Sequence, residues 1–335
     1  MEILSKVHAR NLVAWAKDRP EVVVLSADLT GSCEIVEFQQ AYPDRFFSFG
    51  VAEQNMVSFA AGLAREGYVP FLHTFAVFLY RQALNQLACS VAYSNLPVKL
   101  FGFLPGLTTP GGATHQAIED VAVMRALPNF KVLETGDATE METVLDLTLE
   151  TPGPVYVRML RGEVPRLFPR EEPFALDRAR VLSRGEDLTL LTAGICTEEA
   201  MRATAALAAR GLSVEHLHVS THKPFTDALV REALGRARKG VITMENHTVV
   251  GGLGSEVAEV LAELGGGARL HRLGLPDCFA HGASRPYLMR KYGLDATALV
   301  RKVEEVMGRK LGVSEHDLAE VRLEAVHSQA KAEAL

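Results

Sequence analysis

Short, near-continuous apolar runs set between stretches of helical periodicity constrain this chain more than any other feature. Glu21 to Ala27 (EVVVLSA), Tyr68 to Phe71, Pro97 to Phe103 (PVKLFGF), Lys131 to Leu133 and Pro154 to Leu160 are such runs. Strands buried on both faces of a parallel sheet need apolar side chains without alternation. Between the runs, residues 3–18 read as an amphipathic helix ended by Pro20, and Leu84 to Tyr93 as another. Strand alternating with helix predicts a doubly wound α/β domain over residues 1–165. Residues 166–185, charged and broken by Pro169 and Pro173, read as a linker. The pattern returns over 186–310, with strands at 187–193, 212–219 and 240–245 and helices at 197–210, 227–238 and 253–264. The expectation is therefore two doubly wound α/β domains. Residues 311–335 form a charged, helix-prone tail with Leu318, Val321 and Leu323 as its apolar anchors.

Composition narrows the function classes. A chain of 335 residues can bury two cores, and 48% hydrophobic with 23% charged residues is ordinary for a globular protein. The net charge of −6, with no basic run, argues against general nucleic-acid binding. No apolar stretch is long enough for a membrane span. Cys33, Cys89, Cys196 and Cys278 are scattered, without a CxxC pair, which favours reduced core thiols in a cytoplasmic protein. The amino terminus, charged throughout, lacks the apolar core of a signal peptide.

The chemistry concentrates in Phe49 to Phe78, FGVAEQNMVSFAAGLAREGYVPFLHTFAVF. Met56, Phe59, Ala60 and Leu63 recur at helical spacing, and Gly67 stops the run. Glu53 stands at the entrance of that helix. Phe75 and Phe78 follow in an aromatic stretch, His73–Phe78, read as a turn. A carboxylate beside apolar surface holds its proton longer than one in water, which suits acid/base work. A first-turn glutamate favoured by the helix dipole is the other reading. Asp28 and Ser32 follow the first apolar run, where open α/β sheets place ligands, although turn and cap chemistry would use the same residues. A Gly/Thr/Pro-rich loop, 104–114, ends at His115 and Gln116, at what reads as a helix entrance. Arg158 and Arg161 close the last run of the first domain, and Arg161 could equally pair with Glu163 at the surface.

AEQNM, the spaced phenylalanines, GATHQ and the RALPN turn together resemble the pyrimidine-binding domain of the transketolase family. The similarity continues through Gly106–Glu140 and, more faintly, to about residue 307, where Met244–His247 and the Gly251–Gly254 turn resemble the family's carboxyl-terminal domain. The resemblance implies thiamine diphosphate as cofactor. The glutamate matching Glu53 would hydrogen-bond N1′ of its aminopyrimidine, supporting the imino tautomer whose 4′-nitrogen takes the C2 proton. Asp28, Val51, Phe75, Phe78 and Arg81 would line the cofactor cleft with Glu53. His115 would contact substrate oxygens near the reactive carbon, while Ser32 and Arg161 would hold a substrate phosphate.

The family's GDG motif and asparagine pair, which carry magnesium and the diphosphate, are absent. Gly136-Asp137-Ala138 is the nearest approach and lies elsewhere in the pattern. The resemblance therefore implies a split enzyme, with magnesium held mainly by an amino-terminal partner subunit and the pair assembled as a dimer of heterodimers. Gly111 stands where sugar-phosphate transketolases usually carry aspartate, and Phe103 where they carry a phosphate-binding histidine. The expected reaction is transfer of a two-carbon ketol unit from a ketose (phosphate) to an aldose (phosphate). Two alternatives stand beside it. One is a pyruvate-using subunit like deoxyxylulose-phosphate synthase, which shares the pattern of Phe78-Leu79-Tyr80-Arg81 and Arg161-Gly162, or like a 2-oxoacid dehydrogenase beta subunit. The other is a catalytically inert assembly subunit.

Overall fold

The protein is described by a computed structural model covering residues 2–265 and 267–321. The amino-terminal unit runs β1 (Ile3–Ser5), α1 (Val7–Trp15), β2 (Val22–Ser26), α2 (Val36–Ala41), β3 (Phe46–Ser48), α3 (Glu53–Arg65) and β4 (Val69–Phe75). It continues with α4 (Ala76–Gln86), β5 (Lys99–Phe103), α5 (Asp120–Ala126), β6 (Lys131–Glu134), α6 (Ala138–Glu150), β7 (Val155–Met159) and β8 (Glu163–Pro165). The second unit runs β9 (Arg180–Ser183), β10 (Leu188–Thr192), α7 (Cys196–Ala208), β11 (Val214–His218), β12 (Thr221–Lys223) and α8 (Ala228–Arg236). Then come β13 (Val241–Thr248), α9 (Leu253–Glu263), β14 (Leu270–Leu275), α10 (Arg285–Lys291), α11 (Ala296–Met307) and α12 (Glu315–Glu320).

Among the described residues the first sheet has the order β12-β6-β7-β5-β4-β2-β3 and is parallel except for β12. Every residue of β2, β5 and β7 is buried, which is why these segments read as unbroken apolar runs. The second sheet, β14-β13-β10-β11-β9, is parallel except for β9. It carries a core on each face: Leu190, Ile242 and Leu299 belong to one, Leu191, Leu217 and Val257 to the other. The two α/β layers expected from the sequence are present.

Several local expectations fail for identifiable reasons. Residues 3–18 are not one helix. Ile3–Ser5 pairs antiparallel with Glu163–Pro165, and the helix begins only after Lys6, whose φ of 51° breaks the chain direction. The apolar stripe of α3 is turned away from Phe59, which is exposed and packs on Phe47 and Phe49 instead. Met56, Val57, Ala60, Ala61 and Ala64 face inward. His73–Phe78 is not a turn: β4 extends to Phe75 and α4 starts at Ala76. His73 is absorbed into the core, hydrogen-bonded to His8 (2.9 Å) and stacked on Phe101. Ala83 bends α4, and Leu87–Ala92 continues it with π-type winding.

The stretch read as a linker ends in β9, an edge strand of the second sheet. More consequentially, β12 of the second unit crosses to the first sheet and pairs with β6. Edge strand β14 and helices α10 and α11 are not evident from the sequence pattern, β14 because it is half-buried and carries His271 and Arg272. α12 starts with a capping box on Ser314 and buries Leu318, while Leu323 lies outside the described residues. Only Cys33 and Cys196 are core thiols; Cys89 and Cys278 are exposed.

Candidate active site

Because β2, β3, β4, β5 and β7 run parallel, the turns that follow them share one edge of the sheet. Phe75 ends β4, and Asp28, Val51, the 104–114 loop and Arg161 follow their strands, so all gather along that edge, where α/β sheets bind ligands.

Glu53 is the first residue of α3 and is only 6% exposed. Burial raises its pKa, opposed by the pull of its own backbone N–H. Among the described residues no side chain forms a hydrogen bond or an ion pair with this carboxyl. Ala52, which precedes it, offers no side-chain cap. A buried acid with unspent acceptors differs from a helix-start glutamate in solvent, where the dipole would hold it ionised. α3 lies against α4, with Gln54 Nε2 donating to Gln82 O at 3.0 Å.

At the start of α4, Phe75 and Phe78 stack with centroids 5.8 Å apart and planes at 23°. Phe75 is buried and Phe78 half-buried. His115 stands edge-on to both, 6.2 Å from Phe75 and 5.5 Å from Phe78. Its Nδ1 shares a 2.8 Å hydrogen bond with Thr114 Oγ1. The three residues, singled out from two separate stretches, thus form one aromatic wall. His115 is not at a helix entrance, however. It closes the tight turn Gly112–Thr114, and α5 begins at Asp120.

Asp28 is exposed at φ 62°, a left-handed geometry that aspartate tolerates better than most residues. Val51 is 83% exposed on the approach to α3. Arg81 is committed within the chain: Nε donates to Glu119 Oε1 (2.7 Å) and Nη1 to Ala113 O (2.8 Å). The turns carrying Ser32 and Arg161 meet, since Glu34 Oε1 accepts from Gly162 N–H at 2.9 Å. The Arg161 charge acts on both Glu34 and Cys33, the residues that follow the half-buried Ser32.

Arg158, read beside Arg161 at the strand end, lies inside β7 and is fully buried. It pairs with Asp120 and Glu134, each at 2.8 Å. Glu134 also contacts His222 (3.0 Å), which reaches Glu256 (3.1 Å) across the two units. The charge inside an otherwise apolar PVYVRML run was the available signal for this network. Phe103 is wholly buried against His8 and so presents nothing to the cleft. A Cβ on Gly111 would come within 2.7 Å of His115 Cβ. Glycine here makes room for the histidine.

Fold and site define a two-unit α/β protein that gathers one buried acid and an aromatic wall along the carboxyl edge of its first sheet. Residues 4–166 match the transketolase pyrimidine binding domain, and residues 177–299 match the transketolase C-terminal domain. The chain is 40% identical over 301 residues to 6-deoxy-6-sulfo-D-fructose transketolase subunit SqwH of Clostridium sp. (strain MSTE9), covering 89% of this chain and 92% of that one. A solved split gene transketolase, an inactive beta4 tetramer, is similar with a TM-score of 0.83 and 37% identity, over 91% of this chain and 98% of that one. The 1-deoxy-D-xylulose-5-phosphate synthase of Pelotomaculum thermopropionicum (strain DSM 13744 / JCM 10971 / SI) is 33% identical over 90% of this chain, which spans 47% of that longer protein. The chain belongs to the transketolase family, whose members use thiamine diphosphate. Its residues fit the aminopyrimidine end of that cofactor: a buried acid with unspent acceptors shares the cleft edge with a partly open aromatic stack.

Proposed function

We propose that this chain is the carboxyl-terminal subunit of a split transketolase, moving a two-carbon ketol unit from a ketose to an aldose. The observation that carries the reading is Glu53, buried without a counter-charge and with its pKa raised, on the cleft edge that holds Phe75, Phe78 and His115. Bound thiamine diphosphate would supply the carbon nucleophile that carries the two-carbon unit. Glu53 would hold the proton shared with N1′ of the aminopyrimidine, and Phe75 and Phe78 would give that ring an apolar face. Val51, Asp28 and Arg81 would complete the cofactor side, with Arg81 acting chiefly through its hold on Ala113. His115 would meet substrate oxygens through the ring nitrogen that Thr114 leaves over. Ser32 and Arg161 would grip an anionic substrate tail, a phosphate or the sulfonate that the Clostridium relative's name implies for that protein.

Magnesium and the diphosphate would be held by an amino-terminal partner, in a dimer of heterodimers. The naming of relatives as transketolase subunits, and a related tetramer of beta chains described as inactive, support this division. The two matched segments, 4–166 and 177–299, support a two-domain chain whose second domain begins inside the 166–185 stretch. Scattered unpaired cysteines support a cytoplasmic setting, and no helix among the described residues is long and apolar enough to cross a membrane. The pyruvate-using reading rests on the likeness to 1-deoxy-D-xylulose-5-phosphate synthase.

The test is reconstitution. The purified chain alone should bind thiamine diphosphate weakly and transfer no ketol unit, and adding the partner should restore both. Full transfer by the chain alone would defeat the split-enzyme reading. Consumption of pyruvate with release of carbon dioxide would favour the alternative.

A further inference from the structure

The loop that carries His115 is held from the second unit. Asn246, in β13, is 1% exposed, and its amide reads one backbone turn from both sides. Nδ2 donates to Pro105 O at 3.0 Å, and Oδ1 accepts from Leu107 N–H at 2.8 Å. Gly106, between them, has φ 57°, and a Cβ there would overlap the Asn246 amide, so turn and amide fit only as a pair. Asn246 is itself anchored, since its carbonyl accepts from Arg158 Nη2 at 2.9 Å.

A second attachment lies at the far end of the loop. Residues 276–284, between β14 and α10, press on it so closely that a Cβ on Gly282 would meet Pro110 O at 2.8 Å. From the same segment, the ring of Phe279 lies 5.7 Å from the Arg81 guanidinium, and Arg81 donates to Ala113 O. His115 follows two residues later.

We propose that the second unit positions the substrate-contacting loop, with Asn246 as a positioning residue and residues 276–284 as an outer wall of the same cleft. An interface that only held two units together could be met by apolar packing. Here a buried amide and a glycine contact are spent on the backbone of the one loop that delivers His115. The kinetic arm of the test rests on the proposed transketolase activity, whereas the exchange arm does not.

The experiment compares wild type, Asn246→Ala and Gly282→Ala. Hydrogen exchange of peptides covering 106–116 is followed in the purified chain, with melting temperature and the strands 69–75 and 188–192 as controls. Loss of the clamp should speed exchange in 106–116 by about 3- to 10-fold while the two strands stay protected. In the assembled enzyme both variants should raise KM for the sugar acceptor, with C2-proton exchange of bound thiamine diphosphate unchanged. Unchanged exchange of 106–116 in both variants overturns the proposal, and so does a loosened loop with unaltered KM. Should Asn246→Ala fail to fold, Gly282→Ala at an exposed position still decides. A wild-type assembly without ketol transfer would refute the proposed function, leaving the exchange arm to judge the loop.

Discussion

At the scale of single residues, Glu53→Gln separates catalysis from capping. Glutamine keeps the size and the hydrogen-bonding capacity, so folding and assembly should survive. It cannot hold the proton shared with N1′, and C2-proton exchange of bound thiamine diphosphate should slow by about 10²–10⁴-fold, the usual contribution of a positioned acid or base. A glutamate serving only the helix dipole would instead change stability by about 0.3–1 kcal/mol and leave exchange untouched. Arg161→Lys tests the anion grip. Lysine loses the bidentate fork, so kcat/KM for anionic sugars should fall more than for neutral ones. An equal loss for both substrate classes would make Arg161 structural. The departures at Gly111 and Phe103 now have separate physical accounts. Phe103 is core, shielded by His8, and Gly111 is the space His115 occupies.

At the scale of elements, the buried strands were legible because burial on both faces leaves no choice but apolar side chains, as in β2 and β7. Edge strands were not: β14, half-buried, mixes His271 and Arg272 into its run, and β12 is three residues long. The aromatic wall was legible only as separate pieces. That Phe75, Phe78 and His115 meet follows from adjacent parallel strands β4 and β5, which no local spacing reveals. The roles of Asn246, within the Met244–His247 motif, and of Glu34 are not legible in the sequence, because each acts on backbone groups more than a hundred residues away. One glycine shows how tightly the site-bearing elements are set. A Cβ at Gly102, in β5, would lie 2.9 Å from both Ala76 Cα and Tyr156 Cε2. Gly102→Ala should therefore push the start of α4 off the sheet and cost about 1–3 kcal/mol, the range for overpacking. Urea unfolding checks it, and a variant as stable as wild type would show that α4 yields freely.

At the scale of the whole molecule, the two units are joined by a buried chain of alternating charge. Arg158 of β7 pairs with Asp120 and Glu134, His222 at β12 bridges Glu134 and Glu256 of α9, and Arg125 of α5 meets Glu256 at 3.1 Å. Burial alone would lower the pKa of His222, but Glu256 and Glu134 overcome it and push it up to about 10. A histidine raised from its ordinary 6.5 contributes stability that is fully present below pH 6.5 and is lost as pH climbs through about 10. Glu134 acts at the other limb. Held at about 2 chiefly by Arg158, it contributes above its ordinary 4.5 and loses that contribution as pH falls toward 2. Lys99 runs against His222: burial lowers it from 10.5 to about 7, so folding gains as pH rises across that interval. The wild-type profile on the alkaline side therefore mixes opposite slopes, and the informative quantity is the difference between wild type and His222→Gln. Below pH 6.5 the variant should be the less stable by about 3–5 kcal/mol, as when one partner of a buried ion pair is removed. From there to about pH 10 the gap should close, because the wild type gives up its proton while the variant has none to lose. Urea titrations at intervals of pH measure that gap, and one that stays constant across the range would mean that His222 is neutral in the fold and joins the units by shape alone.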